Sequence, residues 1–232
     1  MFAALTLLFV YLALGILVAI VGIPWTLVSG DVSFVYHSGL AVARLGLRAA
    51  GIRIKVDWRT RLEPGKTCLF FSNHLSNLDP PVLLPLLPGR TSIFIKKSLL
   101  KIPILGYGMK LAGFIPVDRD GSVEGAKQSV AAALNALRSG VHVTSFVEGT
   151  RSPDGQLLPF KKGPFYLAME SGAPVVPVTI RGTEKLMRKG SLKVHPGAVE
   201  VIFHAPIEPR DYATREDLMV AVRAAIESGL GR

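Results

Sequence analysis

The sequence predicts an α/β fold, in which a three-layer mixed sheet flanked by helices is preceded by an N-terminal pair of apolar, membrane-binding helices. Two observations support this prediction. Segments of β-forming residues alternate with helical segments through most of the chain, and residues 1–30 contain no charged side chain. Alternating strands and helices are typical of a layered α/β domain. We therefore expect two regions, membrane-associated helices over residues 1–50 and an α/β domain over residues 51–232.

The N-terminal region begins with about 20 nearly continuous apolar residues, enough to cross the hydrocarbon core of a bilayer. The sequence Gly22-Ile23-Pro24 then predicts a helix break, followed by a second helix over residues 25–50. Four polar residues of that helix fall near one face: Ser33, His37, Arg44 and Arg48. This pattern is typical of a helix that lies in the membrane interface. A single spanning helix and a hairpin that enters one leaflet both remain open. A signal peptide does not fit, because no basic residue precedes the apolar run.

Charge and composition favour a lipid surface as the partner. The formal net charge is +10, and the mean hydropathy is +0.39. A basic body behind an apolar segment fits anionic lipid headgroups, whereas the chain has no basic helix, finger or aromatic RNA-binding motif that would predict nucleic acid. The basic residues that follow the apolar run predict that the body lies on the cytoplasmic side; they are Arg44, Arg48, Arg53, Lys55, Arg59 and Arg61.

The body is predicted to be a mixed sheet, because the last strands have no helices between them. The predicted strands cover residues 52–58, 67–72, 91–95, 113–117, 141–147, 174–181, 192–195 and 199–204. Pro80-Pro81 is predicted to open a short helix. Further helices are predicted over residues 97–111, with an interruption at Pro103, and over residues 122–139, 163–171 and 214–228. The single cysteine, Cys68, excludes an intrachain disulfide and is interpreted as a packed strand residue rather than a nucleophile.

The run Asn73-His74-Leu75-Ser76-Asn77-Leu78-Asp79-Pro80 is the strongest chemical signal in the chain. Positions five apart do not share a helix face, so the pair requires a turn, which Ser76-Asn77 can supply. A loop after a strand is where α/β enzymes place catalytic groups. His74 would act as a general base, and Asp79 would orient its imidazole. The alternative is that Asp79 is simply a helix N-cap before Pro80.

Four further sequence blocks downstream make the histidine–aspartate pair more specific as a signal. They are Lys97-Ser98-Leu99-Leu100, Gly113-Phe114-Ile115-Pro116-Val117-Asp118-Arg119, Phe146-Val147-Glu148-Gly149-Thr150-Arg151-Ser152 and Val175-Val176-Pro177-Val178. Together with the histidine and aspartate they resemble the glycerolipid acyltransferase family, and within it the bacterial enzymes that acylate 1-acyl-glycerol-3-phosphate. The resemblance covers about residues 66–181.

The resemblance implies that His74 is the base and that Asp79 is its partner. It implies a site for the acceptor phosphate, formed by Arg119, Glu148, Gly149, Thr150 and Arg151, and charge stabilisation by Lys97. Arginine suits phosphate because its planar fork binds two oxygens at once, and Gly149 allows close approach of the backbone. Glu148 cannot bind phosphate favourably while ionised, so we expect it to orient Arg151 or Arg119.

The implied reaction is transfer of an acyl chain from acyl-CoA or acyl-carrier protein to the sn-2 hydroxyl of lysophosphatidate, which forms phosphatidic acid. No metal or redox cofactor is expected, because the chain has no His-Glu-x-x-His, cysteine pair, Walker A or complete dinucleotide motif. The implied location is the cytoplasmic face of the bacterial inner membrane. Two alternatives remain: another acceptor, such as a lyso-aminolipid or glycerol-3-phosphate, and a non-catalytic protein that binds anionic lipids.

Overall fold

The computed structural model describes residues 2–117 and 123–231. The helices are α1 (Phe2–Ser29), α2 (Ser33–Ala49), α3 (Asp79–Leu83), α4 (Leu105–Leu111), α5 (Val123–Arg138), α6 (Lys162–Ser171), α7 (Thr183–Leu186) and α8 (Arg215–Leu230), with 3₁₀ turns at Leu84–Leu86, Lys97–Lys101 and Pro209–Asp211. The strands are β1 (Ile52–Trp58), β2 (Leu69–Ser72), β3 (Thr91–Lys96), β4 (Ile115–Val117), β5 (His142–Phe146), β6 (Val175–Arg181) and β7 (Gly197–Phe203).

The seven described strands form one sheet in the order β1-β7-β6-β2-β5-β3-β4. Neighbouring strands are parallel except β6 and β7, which are antiparallel. This confirms the prediction of a mixed sheet. A short connection across residues 182–196, without a long crossover helix, is what allows β7 to return antiparallel beside β6.

Alternation along the central strand β2 builds two cores, one on each face of the sheet. Phe70 packs under α2 and α3, whereas Leu69 and Phe71 point to the opposite face and pack under α5, α6 and α8. All three side chains are fully buried, and successive strand residues point to opposite faces. The predicted three-layer arrangement of helices, sheet and helices is therefore confirmed.

The N-terminal pair differs from the prediction in its boundaries. Helix α1 continues through Pro24 and ends at Ser29, where Gly30 adopts a φ of 73°. The predicted break at residues 22–24 is wrong, because a proline removes one backbone hydrogen bond of a long apolar helix whose other bonds remain. Helix α1 is long and apolar enough to cross a membrane by length and composition. The predicted division of the chain at residue 50 stays a prediction.

Helix α2 fastens this pair to the body. The hydroxyl of Tyr36 donates to the carbonyl of Thr91 at 3.1 Å and accepts from its N–H at 2.9 Å, and Leu47 lies in the core. Helix α1 crosses α2 closely at Gly22 and at Gly46, where a side chain would collide with Val35 and Tyr11 respectively. The two helices are thus antiparallel, and α1 lies against α2 rather than projecting away from the protein.

The predicted strand over residues 192–195 is wrong. The N–H of Lys193 donates to the Ser191 hydroxyl at 3.0 Å, and the N–H of His195 donates to the carbonyl of Leu186 at 2.9 Å. The first bond closes a local turn, and the second joins the segment to α7, a helix that the sequence did not predict, so these residues form no strand.

Candidate active site

Three loops meet at one edge of the sheet, because β6, β2 and β5 are neighbours and run parallel. The loops follow the carboxyl ends of these strands and carry His74, Glu148 and Thr183 respectively after β2, β5 and β6. The buried amide of Asn73 joins two of them, donating to the carbonyl of Ile180 at 2.9 Å and accepting from its N–H at 2.8 Å. This is the edge at which open α/β sheets bind ligands.

His74 and Asp79 lie in direct contact, as the sequence predicted. Nδ1 of His74 is 2.7 Å from Oδ2 of Asp79, which also accepts the N–H groups of Leu75 at 2.6 Å and Ser76 at 2.8 Å. The other oxygen, Oδ1, accepts the hydroxyl of Thr183 at 2.6 Å. Because Asp79 is fully buried, these four donors compensate for the water that the carboxylate has lost.

This geometry assigns the imidazole tautomer. Nδ1 donates its hydrogen to the carboxylate, so Nε2 carries the lone pair and can accept a proton. The imidazole stacks on the ring of Phe146, with centroids 4.1 Å apart and planes 16° from parallel, and its side chain keeps 14% of its surface exposed. No hydrogen bond to Nε2 is formed by any residue of the described ranges, so this nitrogen is open to a substrate hydroxyl.

The alternative that Asp79 is a helix N-cap is wrong. Asp79 is the first residue of α3, Leu78 precedes it, and the carboxylate turns back to the amides of Leu75 and Ser76. Pro80 and Pro81 lack N–H groups that the carboxylate would otherwise cap. The loop therefore directs the carboxylate to the histidine and its neighbouring backbone.

Glu148 holds the backbone of the histidine loop. Its carboxylate is almost fully buried, with Oε1 accepting the N–H of His74 and Oε2 accepting the N–H of Leu158, both at 2.8 Å. The expected pairing with Arg151 is not formed within the described part of the chain, because both oxygens are directed at backbone amides. Burial raises the pKa of Glu148 above its usual range, since the charged form loses hydration.

The rest of this loop turns tightly around His74. Gly149 has a φ of 68°, and a Cβ there would lie 2.9 Å from the side chain of Lys161, which explains the glycine. Thr150 is exposed and Arg151 is half-buried. The N–H of Ser152 donates to the carbonyl of His74 at 2.8 Å. The loop thus binds His74 on both sides, through its N–H at Glu148 and its carbonyl at Ser152.

The remaining predicted residues lie farther along the same edge or outside the described ranges. Lys97 is exposed and begins the 3₁₀ turn that follows β3, the neighbour of β5. Arg119 lies outside the described residues.

Cys68 is buried, and burial raises the pKa of its thiol to about 11, which fits the packing role. The described residues contain no group of three or more potential metal ligands.

Sequence reasoning missed the segment after β6. Besides Thr183, it supplies the carbonyl of Met187, which accepts the hydroxyl of Ser76 at 2.7 Å, and Lys189, whose Nζ donates to the carbonyl of Arg151 at 2.8 Å. One signal was available: Thr183 follows a buried apolar strand, and the carboxyl ends of parallel strands share one edge. The partners lie about 100 residues apart in the chain, so local spacing could not reveal them.

Comparisons with known proteins agree with this fold and these sequence blocks. A model of the acyltransferase family matches residues 53–181, more than half of the chain. A 1-acyl-sn-glycerol-3-phosphate acyltransferase from Limnanthes douglasii is 32% identical over 204 residues, which cover 84% of this chain and 68% of that protein. The chain belongs to the acyltransferase family.

The particular relatives share one name. A chloroplastic 1-acyl-sn-glycerol-3-phosphate acyltransferase from Brassica napus is 40% identical over 157 residues, covering 66% of this chain and 43% of that protein. The chain thus spans less than half of the length of that relative. The crystal structure of the 1-acyl-sn-glycerophosphate acyltransferase PlsC from Thermotoga maritima has the same fold, with a TM-score of 0.85, 24% identity, and coverage of 99% of this chain and 94% of that one.

Proposed function

We propose that this protein transfers an acyl chain from acyl-CoA or acyl-carrier protein to the sn-2 hydroxyl of 1-acyl-glycerol-3-phosphate, forming phosphatidic acid. The observation that carries the proposal is the 2.7 Å contact between Nδ1 of His74 and Asp79, which leaves Nε2 as the proton acceptor. The family match and the names of the relatives support the same reaction.

The proposed reaction needs one proton acceptor and no acyl-enzyme. Nε2 of His74 takes the proton of the sn-2 hydroxyl as its oxygen attacks the thioester carbonyl, and a tetrahedral oxyanion forms. Asp79 stabilises the imidazolium. Collapse of the intermediate breaks the carbon–sulfur bond, and the imidazolium returns the proton to the departing thiolate. The products are the ester and a free thiol, and no cofactor is consumed.

The acceptor phosphate is proposed to lie against the loop after β5. Arg151 and Arg119 would bind its oxygens, with Gly149 and Thr150 lining the approach. Lys97, at the same edge of the sheet, would stabilise developing negative charge. Glu148 takes a different part from that expected: its two backbone hydrogen bonds support a role in positioning His74.

Membrane attachment is proposed to use the outer face of α1. That face carries exposed apolar side chains, among them Phe2, Phe9, Ile20 and Leu27 at 64–82% exposure. Because α1 lies along α2, and α2 along the body, we favour a helix pair that enters one leaflet over a single spanning helix. The basic residues that follow α1 support the cytoplasmic face of the bacterial inner membrane.

A double substitution tests this attachment. Phe9→Glu with Ile20→Glu places two charges on the outer face of α1 without altering its contact with α2, because both side chains are exposed. The variant should move from the vesicle pellet to the supernatant after centrifugation, since charges inside a bilayer are costly. Retention in the pellet would show that another surface anchors the protein.

The activity itself is tested by thiol release. The purified protein is incubated with acyl-CoA without an acceptor, and in separate reactions with acyl-CoA plus lysophosphatidate, a lyso-aminolipid or glycerol-3-phosphate. The proposal expects thiol release that depends on lysophosphatidate and vanishes in His74→Ala. His195→Ala, which removes an exposed histidine in the connection between β6 and β7, should behave like the wild type. Release that prefers another acceptor would reassign the substrate, and no release with binding to anionic vesicles would favour a non-catalytic lipid binder.

A further inference from the structure

The loop after β6 connects the two halves of the candidate site. The histidine–carboxylate half consists of His74 and Asp79, and the arginine half consists of Arg151 and the loop after β5 that carries it. We call residues 182–193 the β6 loop segment. Its Thr183 contacts Asp79, and its Lys189 contacts Arg151. One segment thus touches both the carboxylate that orients the base and the residue proposed to bind the acceptor phosphate.

The position of Lys189 relative to the base is defined by a single peptide group. The carbonyl of Arg151 accepts from Nζ of Lys189 at 2.8 Å, and the N–H of the same peptide, on Ser152, donates to the carbonyl of His74 at 2.8 Å. The ammonium of Lys189 therefore lies one peptide group away from the backbone of the base. An ammonium has three N–H donors, and the carbonyl uses one of them.

We propose that Lys189 is a third cation for the phosphate of the acceptor and acts together with Arg151 and Arg119. This inference rests on the proposed function. A phosphate monoester has a second pKa of about 6 and carries close to two charges at neutral pH, and its three terminal oxygens offer more acceptor positions than two guanidiniums fill, so an additional ammonium can donate to it. Within residues 2–117 and 123–231, the guanidinium of Arg151 has no hydrogen-bond or ion-pair partner.

Two features argue that Lys189 serves an anion rather than only a carbonyl. Lys189 is exposed, and water would solvate the carbonyl of Arg151 without the entropy cost of ordering a lysine side chain. The segment also carries the exposed cations Lys185 and Arg188, neither of which pairs with a carboxylate in the described ranges. A group of like charges beside an arginine creates a positive potential that attracts an anion.

The matched test compares two lysines of the same segment. Lys189→Ala removes the ammonium beside Arg151, Lys189→Arg keeps a cation there, and Lys193→Ala removes an equal charge elsewhere on the segment. Each full-length protein is assayed in mixed micelles at saturating acyl-CoA with lysophosphatidate and with 1-acylglycerol, which lacks the phosphate. We expect Lys189→Ala to raise the KM for lysophosphatidate about tenfold, the lower end for one charge-assisted hydrogen bond.

The outcomes separate this inference from the proposed function. Lys189→Arg should recover most of the affinity, Lys193→Ala should stay within about twofold of the wild type, and turnover of 1-acylglycerol should not change in Lys189→Ala. Equal losses in Lys189→Ala and Lys193→Ala would reduce the effect to general charge and overturn the inference. A proportional loss on both acceptors would overturn it too, because Lys189 would then only support the loop. If the wild type does not acylate lysophosphatidate at all, the proposed function fails first.

Discussion

The two halves of the candidate site differ in how completely the folded protein supplies hydrogen-bond partners for their charged groups. Asp79 has no exposed surface and accepts four hydrogen bonds. Arg151, on the neighbouring loop, is half-buried, and its guanidinium has no partner in the part of the chain that the structure describes. The hydrogen bonds of the histidine–carboxylate half are complete within the folded protein, whereas we propose that an anion completes the arginine half.

The difference follows from what burial costs each group. A carboxylate removed from water must find its donors within the fold, whereas a guanidinium that reaches solvent is hydrated without them. We therefore expect substitutions in the first half to lower kcat and substitutions in the second half to raise the KM for the acceptor. Each prediction below tests that division, starting with the largest effect.

Asp79→Asn should give the largest loss among the substitutions compared below. An amide oxygen can still accept from Leu75 and Ser76, and the amide nitrogen can donate to the hydroxyl of Thr183 once that proton rotates away. The negative charge that stabilises the imidazolium is lost. We expect kcat to fall by about 10²–10⁴, the range for impaired general-base catalysis, with the acceptor KM within about threefold of the wild type.

Vesicle binding serves as the control for Asp79→Asn and should match the wild type, and thermal unfolding should remain cooperative. An unchanged kcat would remove Asp79 from the chemistry. A large rise in KM at constant kcat would break the division between the two halves.

Arg151→Ala should reverse the pattern of the first prediction. Loss of a charge-assisted hydrogen bond costs about 1.5–3 kcal/mol, so we expect the acceptor kcat/KM to fall roughly tenfold to hundredfold through KM. Arg119→Ala should have a smaller effect, and Arg151→Lys should recover only part of the loss, because lysine lacks the planar fork. Steady-state kinetics with lysophosphatidate and 1-acylglycerol measures the effect.

Arg210→Ala is the matched control for this series. Arg210 is exposed in the 3₁₀ turn after β7, and β7 runs antiparallel to β6, so this arginine lies toward the opposite edge of the sheet. It should leave both acceptors unaffected. If Arg151→Ala lowers turnover of both acceptors in proportion, Arg151 does not bind the phosphate, and an acceptor such as a lyso-aminolipid becomes the stronger hypothesis.

The same contrast explains what the sequence could predict. The contact between His74 and Asp79 spans five positions and one turn, so spacing and residue type suggested it, and the downstream sequence blocks favoured it over a helix N-cap. Glu148 was recognised as part of the site, but its donors are backbone amides of His74 and Leu158, and every residue except proline carries such an amide. The sequence therefore could not identify its partners.

Contacts between residues far apart in the chain limited what else the sequence could predict. Thr183 lies 104 positions from Asp79, and only the parallel pairing of β2 and β6 brings the two residues together. Pro24 predicted a helix break, yet α1 continues past it, because its contacts with α2 and its remaining backbone bonds support the helix. Local propensity is a weak guide where tertiary contacts decide.

Glu148→Gln should affect both halves, because Glu148 lies on the same loop as Arg151 and accepts a hydrogen bond from the backbone N–H of His74. The amide nitrogen must face one of two N–H donors, so one hydrogen bond is lost and a buried donor is left unsatisfied. We expect unfolding free energy at pH 5 to fall by about 1–3 kcal/mol and kcat to fall about tenfold. Denaturant unfolding and steady-state kinetics measure the two effects.

The pH dependence of that variant gives an independent check. Burial raises the pKa of Glu148, so the unfolded chain releases this proton at a lower pH than the folded protein does. The contribution of Glu148 to stability therefore decreases as the pH rises from roughly 4 through the raised pKa. The difference in unfolding free energy between wild type and Glu148→Gln should shrink over that interval. A difference that grows with pH would show that the two backbone bonds outweigh the cost of burial.

Thr183→Val is the smallest expected effect and examines the histidine–carboxylate half most closely. Valine has nearly the same shape as threonine but cannot donate to Oδ1 of Asp79, which leaves the three donors on Oδ2 in place. One neutral donor is worth about 1 kcal/mol, so we expect kcat to fall roughly fivefold while the acceptor KM stays constant. Thr183→Ser retains the hydroxyl and should restore kcat. If serine lowers kcat as much as valine does, the methyl group of Thr183 matters as well as its hydroxyl, and if valine leaves kcat unchanged, the hydroxyl has no part in the reaction. If valine instead raises KM, the β6 loop segment acts on the acceptor through the arginine half, and the carboxylate is held adequately by Leu75, Ser76 and His74 alone.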